Sequence, residues 1–145
     1  MGLSDGLLDA NKKAMVVNDC CNMIESQLAA KSGISGIALR TAFAALKGVK
    51  PGYIPYVVEQ LLPPCFSAID PIWSEGMQQG DPVAHLVGSR SRTADALLSV
   101  TDTRVKNSSR SIVRGTYEKL RGSAKQHVEE AVPDLAKVIQ DYTKA

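Results

Sequence analysis

What most constrains this 145-residue chain is the spacing of its apolar residues, which recur three and four positions apart and nowhere alternate along a β-branched run. Side chains three and four apart share one face of a helix, whereas a strand would need a period of two. The chain therefore reads as all-α, with Gly, Pro and Ser marking where one helix stops and the next begins.

Those marks give a provisional map. A short N-terminal turn around Ser4 to Ala10 precedes a helix from about Lys12 to Lys31, with Met15, Val16, Ile24 and Leu28 on its apolar side and Gly33 ending it. A second helix starts near Ser35, which can cap it, and continues to Val49; Leu39, Phe43 and Leu46 form its buried stripe. Its other residues are small, among them Gly36, Ala38, Ala42, Ala44 and Ala45, so a neighbouring helix can approach closely and this helix reads as central. After the linker Pro51 to Pro55, a helix reaches Leu62, breaks at Pro63-Pro64 and resumes from Cys65 to Gln78. Within that piece Asp70-Pro71 marks a restart, with Asp70 as cap and Pro71 in the first turn; Asp81-Pro82 repeats the signal for a short helix ending near Gly88. Helices over Arg90 to Val105, Arg110 to Leu120, Ser123 to Ala131 and Pro133 to Thr143 complete a compact bundle of six to eight helices in one domain, residues 1–145.

Composition excludes several classes. With 44% hydrophobic and 22% charged residues the chain is not broadly disordered, and with 5% aromatics and a single Trp73 its core must be mainly aliphatic. Gly2 to Asn11 carries two aspartates and no base, unlike a secretory signal, and no apolar run is long enough for a transmembrane segment. A soluble, cytoplasmic protein is expected. Cys20, Cys21 and Cys65 are odd in number and show no CxxC spacing, which predicts reduced, mostly buried thiols rather than a disulfide framework or a metal site.

No nucleophile elbow, phosphate-binding loop, dinucleotide fingerprint or zinc-protease motif occurs, so a non-enzyme without a cofactor is favoured. His85 and His127 lack a partner at a recognisable spacing, and Glu130, one turn after His127, reads as an ion-pair partner for it. The stretch Arg90 to Lys125 holds nine bases against three acids, a net +6 in a chain of only +2, so the remainder carries −4. Within it Arg110, Arg114 and Arg121 share a helix face. Together with Arg104 they are the predicted partner surface, suited to an acidic protein, to nucleic acid or to self-association. A solvated face whose arginines pair with neighbouring carboxylates explains the same pattern. The alternative function is a carrier for a small apolar or lipid-like ligand, its pocket lined by Phe43, Tyr53, Phe66 and Trp73. Core packing is the plainer account of Trp73 with Phe66, Ile69, Ile72 and Met77.

A faint internal likeness sets Lys31 to Ile69 beside Lys106 to Ile139, pairing Phe43 with Tyr117, Leu46 with Leu120, Gly48 with Gly122 and Pro63 with Pro133. It suggests two pseudo-equivalent halves, about 12–79 and 89–145. The phrases KSGISGIALR (Lys31 to Arg40), VKPGYIP (Val49 to Pro55), EQLLPP (Glu59 to Pro64), SVTDTR (Ser99 to Arg104) and YEKLR (Tyr117 to Arg121) resemble an uncharacterised family of small bacterial proteins. The resemblance spans about residues 12 to 140 and implies a bacterial cytosolic protein of unknown function, with no activity or site residues to carry over.

Overall fold

The computed structural model describes residues 3–7, 9 and 11–143. Among them the chain is helical with no strand, in seven helices: α1 (Leu3–Leu7), α2 (Lys13–Ala30), α3 (Gly33–Lys47), α4 (Tyr53–Gln78), α5 (Pro82–Gly88), α6 (Arg90–Lys106) and α7 (Ser111–Thr143). The expected all-α bundle is the observed one. Residues 8 and 10 of the expected N-terminal turn lie outside the described residues.

α4 and α7 form the frame. α4 buries Val58, Leu62, Phe66, Ile69, Ile72, Trp73 and Gly76, a stripe at three- and four-residue steps. α7 adds Val132, Leu135, Ala136 and Ile139 to the same core, which Leu3, Leu7, Val16, Cys20 and Leu86 from α1, α2 and α5 complete. Met77, placed in this cluster by its spacing, is instead 60% exposed, because it follows Gly76 round to the outer side of α4.

The sequence-based breaks inside α4 and α7 are absent. α4 runs through Pro63, Pro64 and Pro71, and α7 runs through Gly122 and Pro133. A helical proline frees the carbonyl four residues back. In α4 those carbonyls belong to Glu59, Gln60 and Ser67, all exposed positions where water can replace the lost donor, while the buried stripe continues on the opposite side. Asp70 does not cap a restart; its carboxylate accepts from the backbone N–H of Leu3 at 3.2 Å and ties α1 to α4. Ser123 likewise does not cap, since its hydroxyl donates to the Leu120 carbonyl within the same helix. Asp81 does cap as read, accepting from the Ala84 N–H at 3.0 Å with Pro82 in the first turn. The α4–α5 corner is tight: a Cβ on Gly76 would stand 2.6 Å from Pro82 Cα.

The two stretches compared in the sequence fold differently. The first is α3, a turn and the start of α4, whereas the second lies almost wholly within the single helix α7.

α3 is the largest departure. Expected at the centre, it lies at the edge, and Gly36 is its one buried residue. Gly36 sits so close to the end of α2 that an added Cβ would be 2.9 Å from the Lys31 carbonyl carbon. Of the other small residues that suggested a central position, Ala38 and Ala44 are exposed and Ala42 and Ala45 only half-buried.

Candidate functional site

α3 is apolar on two sides. At 100° per residue, Gly36, Leu39, Phe43 and Leu46 share one side, and these are buried or half-buried. Ile34, Ile37, Ala38, Thr41, Ala44, Ala45 and Gly48 share the other, an arc roughly 120° wide. Ile34 is 87% exposed and Ile37 60%. The outer arc is therefore an exposed face without a charge.

Polar contacts hold the inner side. Arg40 Nη1 donates to the carbonyls of Leu28 at 3.1 Å and Lys31 at 2.8 Å, the orphan carbonyls at the end of α2. Lys47 pairs with Glu25 at 3.3 Å, and Lys31, its side chain only 8% exposed, pairs with Glu130 of α7 at 2.9 Å. These three cations are therefore committed to the fold, and none lies within the arc. Behind α3, a cleft of about 300 Å³ opens between α2, α3 and the first turn of α4, lined by Cys21, Ile24, Glu25, Phe43, Lys47, Tyr53 and Ile54 among others.

This cleft brings together two of the four residues expected to bind an apolar ligand, Phe43 and Tyr53. Phe66 and Trp73 are elsewhere, 1% and 4% exposed inside the main core. The expected basic row is also dispersed. Arg121 forms a two-point contact with Asp102, at 2.9 and 3.2 Å, which Tyr117 reinforces by donating its hydroxyl proton to the same carboxylate. Arg114 donates to the Ser108 carbonyl beside the α7 N-terminus. Arg110 lies outside the helix with its guanidinium 5.7 Å from the Tyr53 ring centroid, and Arg104 is half-buried on α6. Much of the local positive charge thus closes contacts between α6, α7 and their linker. The Arg121 guanidinium and the Tyr117 hydroxyl hold Asp102 below the ordinary carboxylate range.

The remaining polar clusters are clasps. Glu75 of α4 receives both Arg92 nitrogens, at 2.7 and 2.9 Å, and His85 Nε2 at 3.1 Å, so one carboxylate joins α4, α5 and α6. Those hydrogen bonds, Arg92 first, draw its pKa down to about 2, which leaves it a poor general base. Burial pushes the Cys20 and Cys65 thiols up to about 12, and Cys21 is raised by burial as well. Such thiols are not activated nucleophiles. The expected pairing of His127 with Glu130 is absent: Glu130 has turned to Lys31, and both ring nitrogens of His127 are shielded from water without a partner. No group of three or more His, Cys, Asp or Glu converges on a metal position among the described residues. No described helix is long and apolar enough to cross a membrane.

A family model described as a family of unknown function, DUF6918, matches residues 3–143. The chain belongs to that family. Membership in DUF6918 agrees with the resemblance read from the sequence phrases and assigns no chemistry. Neither a curated protein nor a solved structure matches the chain. For this DUF6918 protein the functional reading therefore rests on its surface. Ile34 and Ile37 were not singled out in the sequence. The signal was there, in a second set of apolar positions opposite Leu39, Phe43 and Leu46, but periodicity alone does not say which of two apolar sides meets the core.

Proposed function

We propose that this protein is a non-enzymatic interaction module whose partner surface is the outer arc of α3. The observation that carries this reading is the pair Ile34 and Ile37, one turn apart and largely exposed on an arc without a charge. Single exposed aliphatics are ordinary on protein surfaces, but a contiguous charge-free helix face is the mark of a docking site. The test is a double variant, Ile34→Asp with Ile37→Asp. It keeps its helical circular dichroism and melting temperature, because both side chains already face water, and loses partner binding by surface plasmon resonance. Retained binding at wild-type affinity would refute the reading.

An acidic macromolecule on Arg104, Arg110, Arg114 and Arg121 receives less support, because Arg121, Arg114 and Arg110 already make contacts within the chain. Reversing the charge of Arg104 and Arg110 together tests it by a nucleic-acid mobility shift, where this reading requires a loss of binding.

A second reading has its own observation, the meeting of Phe43 and Tyr53 at the cleft, whose volume is at the lower end for small-molecule sites. As a carrier, the protein would release an apolar ligand detectable by denaturing mass spectrometry, and finding only apo protein would sink that reading. The free thiols of Cys20, Cys21 and Cys65 suit a reducing compartment, which supports the bacterial cytosol as its location.

A further inference from the structure

The outer arc of α3 has an internal pattern that points to its occupant. Bulk is concentrated at the N-terminal end, in Ile34 and Ile37, and the remaining positions are small. We propose that the arc pairs with the arc of a second copy, the two α3 helices running antiparallel about a two-fold axis at Thr41. This rests on the reading of the arc as a docking surface.

In that register Ile34 stands level with Gly48 of the other copy, Ile37 level with Ala45 and beside Ala44, and Thr41 lies over its own counterpart. Every bulky side chain meets a hollow, and the same patch serves both copies, as a closed two-fold contact requires. The small residues let the helices approach closely, and the antiparallel arrangement opposes the two helix dipoles favourably.

Charge agrees with this occupant. The arc contains no ionisable group, so pairing desolvates no charge. The flanking cations Arg40 and Lys47 are already engaged by the Leu28 and Lys31 carbonyls and by Glu25. A lipid surface fits less well. Five of the seven arc residues are Ala, Thr or Gly, which offer little to insert, and the face opposite the arc is packed on the fold rather than bearing the cations of an interfacial helix.

Area sets the strength. An arc about 22 Å long at 1.5 Å per residue and roughly 10 Å wide covers on the order of 200 Å² per copy, about a quarter of the usual share of one partner in a stable interface. The dimer is therefore weak, reversible and concentration-dependent, forming only as the protein approaches millimolar concentration.

The test combines sedimentation with site-directed cross-linking. Wild-type protein is expected to gain weight-average mass as its concentration approaches ~1 mM, and Ile37→Asp to stay monomeric. Under diamide oxidation, T41C is expected to give a disulfide dimer on a non-reducing gel. Wild type, which keeps Cys20, Cys21 and Cys65, controls for the native thiols. A mass gain abolished by Ile37→Asp but without the T41C dimer would overturn the Thr41 register. A wild type that stays monomeric overturns the self-pairing altogether. In that case, binding of a purified partner or of phosphatidylserine vesicles that is lost in the Ile34→Asp, Ile37→Asp variant keeps the docking reading and reassigns the occupant; no difference between that variant and wild type in any assay removes both.

Discussion

Glu75 carries the densest set of charged contacts among the described residues, with Arg92 at two points and His85 at a third. Its folded pKa, about 2, lies below the ordinary value of 4.5. A carboxylate depressed on folding stabilises the native state fully above its unfolded pKa, and that contribution disappears as the pH falls through the folded one. The melting temperatures of wild type and Glu75→Gln are therefore expected to differ by a constant amount just above pH 4.5 and to converge between about 4.5 and 2. A gap that stays constant over that interval would show that the clasp does not act through ionisation. His127 makes the opposite case. Two shielded ring nitrogens without partners cost stability, so His127→Leu is expected to stabilise by about 1 kcal/mol in urea unfolding. A loss of stability there would mean that the imidazole has a partner in solution.

At the scale of the element, α3 differs from the rest in how it is held. Inward it has one buried residue and three polar fixings, whereas α4 has an eight-residue buried stripe beginning at Tyr53. Gly36→Ala would drive a methyl group into the backbone at Lys31, and the strain is expected to cost about 1–3 kcal/mol. Hydrogen exchange should show faster amide exchange within α3 and little change in α4, since regions with few buried contacts open locally. The same contrast explains what the sequence disclosed. Helix starts read from chemistry within one turn, such as Asp81-Pro82, appear where expected, because capping is a local event. Pro63-Pro64, Asp70-Pro71 and Gly122 to Pro133 misled, because a local breaker is outweighed when the helix on both sides of it buries a continuous stripe. The side of α3 that faces the core was not legible. Two apolar arcs on one helix are equivalent until Arg40 and Lys31 fix one of them against α2 and α7.

For the whole molecule, α7 packs on α6, α2, α5, α3 and α1, and α4 supplies the centre of the core. Loss of a large side chain there should weaken the entire bundle: Trp73→Ala is expected to cost about 3–5 kcal/mol in a single cooperative urea transition. A two-step transition, with part of the helical signal surviving, would show that the core is divided. The charge pattern also takes its meaning at this scale. The net +6 between Arg90 and Lys125 suggested a surface aimed outward, yet Arg92, Arg121 and Lys125 reach carboxylates on α4 or α6. Sequence shows the excess of charge; only the packing shows how much of it is spent joining helices.

The grip of Arg40 on the last carbonyls of α2 gives α3 two faces that answer oppositely to dissolved salt. Added ions screen Lys47–Glu25 on the inner side, and Lys31–Glu130 at the end of α2 on which α3 packs, so the hold on α3 slackens. A salting-out anion such as sulfate strengthens apolar burial on the outer side, where Ile34 and Ile37 await a cover. The choice of salt, chloride against sulfate, therefore sets how firmly the inner side of this helix is held and how strongly its outer side avoids water.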